Sequence, residues 1–147
     1  MSLGTVILDS DMLSLLSRGN AQVMAHARAY LERQGRLTIT SVTVFERLRG
    51  YRAALRLGKP FELQLRNFEV LVANSVVLPL DQGAADQAAR IWAALSGRAR
   101  HGFGDILIAG IASAWGRPLV TRNRRDFQPI AALEFTNLTL LDWSKGA

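Results

Sequence analysis

The sequence has no cysteine, only two histidines, and only two lysines among its 18 basic residues. Without cysteine, neither a disulfide scaffold nor a zinc–thiolate site can form. A metal ion would need oxygen ligands or the histidines, but we expect His26 on a helix surface and His101 in a loop. The chain also lacks a Gly-x-Ser-x-Gly motif and a glycine-rich phosphate loop, which excludes serine hydrolases and nucleotide cofactors.

Long apolar runs are absent as well, and the first residues do not resemble a signal peptide. We therefore expect a cytoplasmic protein with no membrane partner. The net charge is +6, and arginine supplies 16 of the 18 basic side chains. Arginine forms forked contacts with phosphate, which suits a nucleic-acid partner. High-GC coding or general solubility would explain the same bias, so both explanations stay open.

Length and patterning predict one domain over residues 1–147, since 49% of the chain is hydrophobic and spread along it. Short apolar runs alternate with longer helical patterns, which is typical of a parallel sheet covered on both faces. We predict a single-domain α/β/α sandwich with a central, mostly parallel sheet of about five strands. The predicted strands are Thr5–Leu8, Leu37–Thr40, Val76–Leu80, Pro118–Thr121 and Leu138–Leu141, and the predicted helices are Ala21–Gln34, Val42–Leu57, Phe61–Ala73, Gly83–Leu95 and Asp105–Trp115.

Acidic side chains stand where this fold gathers function, at or near the carboxyl ends of strands. Asp9 follows the first strand, Glu46 lies on the helix after the second, and Asp105 opens a nearly all-apolar helix. Each acid alone also fits a helix cap or a surface ion pair. Together they predict one pocket, in which carboxylates repel each other unless they are protonated or bind a hard cation such as Mg²⁺ or Mn²⁺.

Four motifs resemble those of the PIN-domain family, and within it the VapC-like toxins. They are Leu8-Asp9-Ser10-Asp11, Phe45-Glu46-Arg47-Leu48, Asp105-Ile106-Leu107-Ile108-Ala109-Gly110, and Val120-Thr121-Arg122-Asn123 followed by Asp126-Phe127. The motifs follow the family's order and span almost the whole chain. Asp11 replaces the family's asparagine, and Asn123 replaces an aspartate that many relatives have.

The resemblance implies a Mg²⁺-dependent ribonuclease, the toxin of a type II toxin–antitoxin system, with Mn²⁺ as a possible substitute. Its catalytic residues would be Asp9, Glu46, Asp105 and Asn123, the first three as metal ligands and Asp126 as a candidate fourth acid. Ser10, Asp11 and Thr121 would support the ligands. RNA would be bound by Arg49, Arg52, Arg56, Arg122, Arg124 and Arg125. The implied partners are RNA, a cognate antitoxin and a second copy of the chain.

Two other functions stay open at this stage. One is a non-catalytic nucleic-acid-binding or regulatory module whose acids only cap helices. The other is a phosphatase of the haloacid-dehalogenase type, because Ile7-Leu8-Asp9-Ser10-Asp11 also resembles that family's nucleophile motif. Such a phosphatase needs a lysine after a middle strand, and Lys59 is the only internal lysine.

Overall fold

The computed structural model of the chain describes residues 4–97 and 102–145, so the predicted loop residue His101 lies outside it. Strands and helices alternate along these residues, as the sequence predicts. The strands are β1 (Ile7–Leu8), β2 (Thr38–Thr40), β3 (Val76–Leu78), β4 (Leu119–Val120) and β5 (Leu140–Leu141). The helices are α1 (Ser10–Ser17), α2 (Ala21–Gln34), α3 (Ser41–Arg56), α4 (Glu62–Ala73), α5 (Gln82–Ala94), α6 (Phe103–Trp115) and α7 (Arg124–Ala131).

All the strand pairs in the described residues are parallel, in the order β1-β4-β5 and, separately, β2-β3. The predicted single sheet of about five strands is therefore corrected to hydrogen-bonded groups of three and two. β1 still lies against β2. The strands are only two or three residues long, which leaves little backbone for a ladder between the groups. The fold class itself, an α/β domain with a parallel sheet, is confirmed.

The core has two halves, one on each face of the strands. Ile7 and Leu119 pack with α5, α6 and α7, whereas their neighbours Leu8 and Val120 pack with α1, α2 and α4. This division follows from the alternation of side chains along a strand. No helix of residues 4–97 and 102–145 combines the length and the apolar character that a membrane crossing requires.

All the predicted helix ends lie within two residues of the observed ends. The glycines that follow the helical patterns predict C-caps, which Gly35 and Gly116 are, whereas Leu57 rather than Gly58 caps α3. α7 is not among the predicted helices, because the residues after the fourth strand read as an ordinary polar loop. Pro129 lies inside this helix and breaks the usual helical pattern. Only Phe127 and Ile130 are buried on it, so its apolar face is too narrow to be detected by periodicity.

Candidate active site

Asp9 follows β1 directly and is 6% exposed. Because β1 and β4 run parallel with Leu8 opposite Val120, the next residues, Asp9 and Thr121, also stand side by side. The Thr121 hydroxyl donates to Asp9 Oδ2 at 2.8 Å. The other oxygen, Oδ1, accepts from the backbone N–H of Ser10 at 2.8 Å, so Asp9 caps α1 as well. The cap and the site therefore use different oxygens of one carboxylate.

Asp11 joins the same edge from the first turn of α1. Its Oδ2 accepts from the backbone N–H of Arg122 at 2.9 Å and lies 3.3 Å from the Thr121 hydroxyl. Its Oδ1 is buried and has no hydrogen-bond partner among the residues that the structure describes. A buried carboxylate oxygen without a donor is unfavourable when charged, and a proton or a cation would relieve it.

Glu46 reaches the same region from α3, which begins after the capping residue Thr40. Its carboxylate fills the space beside Gly104, where an added Cβ would overlap Oε2. Glu46 is partly buried, and Val42, one turn earlier at the start of α3, is buried. The sequence therefore places this acid correctly near the buried side of α3, against the first turn of α6.

Asp105 lies in that first turn of α6. Gly102 precedes the helix with φ of 64°, a left-handed conformation that favours glycine, and a Cβ there would lie 2.7 Å from Asp105 Oδ2. The Asn123 amide nitrogen lies 3.4 Å from that oxygen and donates to Asp126 Oδ2 at 3.0 Å. Although Asn123 stands at the start of α7, its side chain makes no cap hydrogen bond. It is directed to the two acids instead.

The charges of these acids act on one another. Burial is the main cause that raises the pKa of Asp9 to about 6, followed by Asp11 and, more weakly, Glu46, against hydrogen bonds from Thr121 and Ser10. The pKa of Asp105 is raised to about 7, again chiefly by burial and then by Asp9, Asp126, Glu46 and Asp11 in that order. Burial also raises the pKa of Asp11. Five carboxyl groups from distant parts of the chain thus share one electrostatic environment.

Oxygen atoms from carboxylates, an amide and a hydroxyl make up this donor set, and such atoms suit a hard cation. No three acidic or histidine side chains within residues 4–97 and 102–145 are grouped so that they could hold one ion. Mg²⁺ commonly binds one or two carboxylates and keeps several waters, so a pair of acids is a sufficient protein contribution. The raised pKa values and the partnerless oxygen of Asp11 fit such an ion.

All six arginines predicted to bind RNA are exposed. Arg49, Arg52 and Arg56 lie on α3 at helical spacing, and Arg49 stacks over the Phe45 ring at 5.5 Å. Arg122 follows Thr121, and Arg124 and Arg125 begin α7 rather than lying in a loop. The basic side chains therefore come from the same two segments that carry Glu46 and Asn123.

Arg47 is a neighbour of the site that the sequence pattern does not single out. Its Nη1 donates to Ser14 Oγ at 2.7 Å and to Ser10 Oγ at 3.4 Å. Its guanidinium also lies over the Phe68 ring at 5.7 Å. These contacts tie α3 to α1, so the helix with Glu46 is held against the helix that follows Asp9. The sequence gives little sign of this role, because Arg47 is one of several arginines along α3.

A family model described as PIN domain matches residues 6–133. Among solved structures, the chain resembles one in VapBC2 from Rickettsia felis bound to a promoter DNA fragment, with 18% identity, a TM-score of 0.77 and coverage of 95% and 99% of the two chains. The chain also resembles one in DNA-bound VapBC from Salmonella typhimurium, with 25% identity, a TM-score of 0.76 and coverage of 95% of this chain and 98% of the other. In VapBC-1 from nontypeable Haemophilus influenzae, the similar chain has 24% identity and a TM-score of 0.77, with coverage of 97% of this chain and 100% of the other. A comparison with curated protein sequences found no match.

Proposed function

This chain belongs to the PIN-domain family, and from that premise we propose that it is a Mg²⁺-dependent endoribonuclease, the toxin of a type II toxin–antitoxin pair. The observation that carries the proposal is the convergence of five carboxyl groups, among which burial and then the neighbouring acids raise the pKa values of Asp9 and Asp105. PIN domains are generally nucleases that use divalent metals. We propose a single catalytic domain over residues 1–147, acting in the cytoplasm, with Mn²⁺ as a possible substitute for Mg²⁺.

Asp9 and Asp105 would bind the ion, and Glu46 would hold and orient the attacking water. When bound, the ion would lower the pKa of a water and neutralise charge that develops on the phosphate. Thr121 fixes one oxygen of Asp9, and Asn123 holds Asp126 beside Asp105. Asn123 also completes the proposed catalytic set. The exposed arginines on α3 and at the start of α7 would bind phosphates of the RNA backbone.

A cognate antitoxin and a second copy of the chain are the proposed protein partners. The support is that the similar solved structures described above are named as VapBC complexes. Growth arrest on expression of the chain alone, relieved by co-expression of a small neighbouring gene product, would support this assignment. Growth unaffected by catalytically active protein would contradict it.

The test of the nuclease is cleavage of end-labelled RNA by the purified chain with Mg²⁺ and with EDTA. We expect cleavage only with the ion, and a loss of more than about a hundredfold in Asp9→Asn and in Asp105→Asn. Both variants should stay folded, because each removes a charge that burial disfavours.

Asp81→Asn is the matched control, since Asp81 caps α5 by accepting from Ala84 N–H at 2.9 Å and is exposed. A residue that only caps a helix should tolerate asparagine with little change in stability, because asparagine caps helices about as well as aspartate, and cleavage should be unchanged. Wild-type cleavage by folded Asp9→Asn would overturn the mechanism. RNA left intact by the wild-type chain with Mg²⁺ and Mn²⁺ would favour the non-catalytic alternative.

The phosphatase alternative receives no support. Lys59, the one internal lysine, is exposed in the turn between α3 and α4. The family match to the PIN domain covers the motif around Asp9 that suggested a phosphatase. We therefore do not propose that activity.

A further inference from the structure

A pocket of about 270 Å³ lies between α1, α3 and α4. Its walls are mainly apolar, with Leu13 and Leu16 from α1 and Phe68 and Leu71 from α4. A few polar side chains stand among them, which is the usual composition of a small-molecule site. Such sites have volumes of about 300 to 1,000 Å³, so a ligand of this pocket would be small. None of the five acids of the candidate active site, all of them in the described residues, lines it.

Arg47 is the one charged side chain that lines this pocket in the described part of the chain. Its Nη1 donates to the hydroxyls of Ser10 and Ser14. No carboxylate of residues 4–97 and 102–145 forms an ion pair with the guanidinium, and its buried Nε has no hydrogen-bond partner there. A buried cationic donor without an acceptor is unfavourable, so an anion that supplies the acceptor would be stabilised.

The geometry of the guanidinium favours a carboxylate as that anion. Both serine contacts use Nη1, which leaves the Nε side of the planar group unpaired. Arginine binds a carboxylate through two parallel hydrogen bonds, which one such side can donate. A single cation among apolar walls balances one negative charge, whereas a phosphate monoester carries up to two and would keep an unpaired charge in the pocket.

The walls favour an apolar body on the ligand. The Phe68 ring lies 5.7 Å from the Arg47 guanidinium and 5.8 Å from the Tyr51 ring, so aromatic surface adjoins the cation. We propose that this pocket binds a small monocarboxylic acid with an aromatic or branched apolar body, whose carboxylate pairs with Arg47. The proposal goes beyond the nuclease and needs no metal ion, because the acids of the active site do not line the pocket.

An NMR titration of the full chain in EDTA tests the proposal. The probes are phenylacetate and isovalerate, with phenylacetamide as the uncharged analogue and acetate as the acid without an apolar body. We expect the two larger acids to shift the Arg47 Nε–H resonance, and phenylacetate to bind at least about tenfold more tightly than phenylacetamide or acetate.

Two variants of pocket residues should lower the affinity for phenylacetate at least about tenfold. Arg47→Met keeps the aliphatic stem and removes the cation. Asn67→Trp keeps Arg47 and fills the pocket from an exposed position of α4, so it tests the site even if Arg47→Met is unstable. Melting curves of both variants check that the fold is retained.

Each variant has a matched control. Arg33→Met removes an exposed arginine that also lies over an aromatic ring, at 5.9 Å from Tyr30, but does not line the pocket. Glu69→Trp adds the same ring as Asn67→Trp at an exposed position of α4 outside the pocket. We expect both controls to bind phenylacetate like the wild type. A loss in Arg33→Met equal to that in Arg47→Met would show only general attraction to a basic protein and would overturn the site.

Equal affinities for phenylacetate and phenylacetamide would overturn the proposed pairing with Arg47, as would unchanged binding in folded Arg47→Met. Failure of both larger acids to bind at millimolar concentration would overturn the site itself. A further probe is the blocked tripeptide acetyl-Leu-Glu-Leu-amide. If it binds and the free acids do not, the pocket serves an acidic protein segment and the small-molecule proposal is wrong. None of these outcomes depends on RNA cleavage, so the nuclease is tested separately.

Discussion

Thr121 has one hydroxyl proton and two carboxylates within reach. Its Oγ1 lies 2.8 Å from Asp9 Oδ2 and 3.3 Å from Asp11 Oδ2, and it also accepts from the Asn123 N–H at 3.0 Å. A hydroxyl donates one hydrogen bond, so it can fully serve only one of these two acids. The remaining negative charge favours a proton or a cation. At the scale of single residues, the carboxylates of the site therefore need a proton or a cation to balance their charge.

Asn123 and Asp126 offer a test at the same scale. Asn123 donates to both Asp105 and Asp126, so its amide links the two acids. We predict that Asn123→Ala lowers cleavage about tenfold, more than Asp126→Ala does, because it releases two acids at once. Asn123→Asp should tighten Mg²⁺ binding, since it adds a charged ligand to the site. Cleavage measured against Mg²⁺ concentration for the three variants checks both expectations.

The opposite ranking is equally informative. If Asp126→Ala is more damaging and Asn123→Asp leaves the Mg²⁺ midpoint unchanged, the catalytic role passes from Asn123 to Asp126. Melting curves in EDTA separate either result from a folding defect. Phe127, the neighbour of Asp126, is fully buried, so a destabilised start of α7 would lower the melting temperature.

Two glycines of α6, Gly104 and Gly110, make close contacts with different parts of the domain. Gly104 faces the Glu46 carboxylate, the end of a flexible side chain, whereas Gly110 faces α5. A Cβ on Gly110 would lie 2.7 Å from the Ala88 Cβ and 2.8 Å from the Ala84 carbonyl oxygen. The first contact positions a candidate catalytic group. The second lets two helices pack closely in the core.

We predict that Gly104→Ala lowers RNA cleavage at least about tenfold, because the new methyl group displaces the Glu46 carboxylate. Its melting temperature should be unchanged or slightly raised, since alanine is the better helix former. Gly110→Ala is the control on the same helix. It should lower the free energy of unfolding by about 1 to 3 kcal/mol through overpacking, with little effect on cleavage per folded molecule.

Wild-type cleavage by Gly104→Ala would show that Glu46 has no positional role. A large fall in the melting temperature of Gly104→Ala would mean that this glycine serves packing instead. Thermal melts and single-turnover cleavage of both variants, run side by side, distinguish these results.

The sequence predicts elements with strong patterns and misses those without. α2 and α6 have long apolar stripes and glycine C-caps, so their ends were predictable. α7 was missed because it is short, charged and contains Pro129. Asp9 was predictable because parallel strands end at one edge, and Glu46 because its helix follows such a strand end. Asp105 was predictable as the acid that opens a nearly all-apolar helix. The contacts of Glu46 with Gly104 and of Arg47 with Ser14 were not, since they depend on how helices distant in sequence pack.

At the scale of the whole molecule, the acidic site opposes the stability of the metal-free fold. The ordinary pKa of aspartate is 3.8, whereas burial and the neighbouring acids raise the pKa of Asp9 to about 6 and that of Asp105 to about 7 in the folded protein. Between pH 3.8 and about pH 7, the folded protein therefore binds more protons than the unfolded chain. The free energy of unfolding therefore falls as the pH rises. The stabilising effect of these protons is complete below the unfolded pKa and lost above about pH 7.

We predict that in EDTA the melting temperature decreases between pH 5 and pH 8 on account of these carboxyls, and that Mg²⁺ opposes the decrease. At ten times its dissociation constant, Mg²⁺ should raise the melting temperature at pH 8 by about 3 to 5 °C. At pH 5 the effect should be small, because protons compete with the ion for Asp9 and Asp105. Thermal melts at both pH values, with Mg²⁺ or EDTA, measure this difference.

The double variant Asp9→Asn, Asp105→Asn separates the site from the rest of the protein. Its amides do not titrate, so its melting temperature in EDTA should vary less with pH and should exceed that of the wild type at pH 8. It should also respond to Mg²⁺ less than the wild type does. If Mg²⁺ leaves the melting temperature of the wild type unchanged at pH 8, these carboxyls do not bind the ion. If the double variant has the same pH dependence as the wild type, they do not control the stability of the fold.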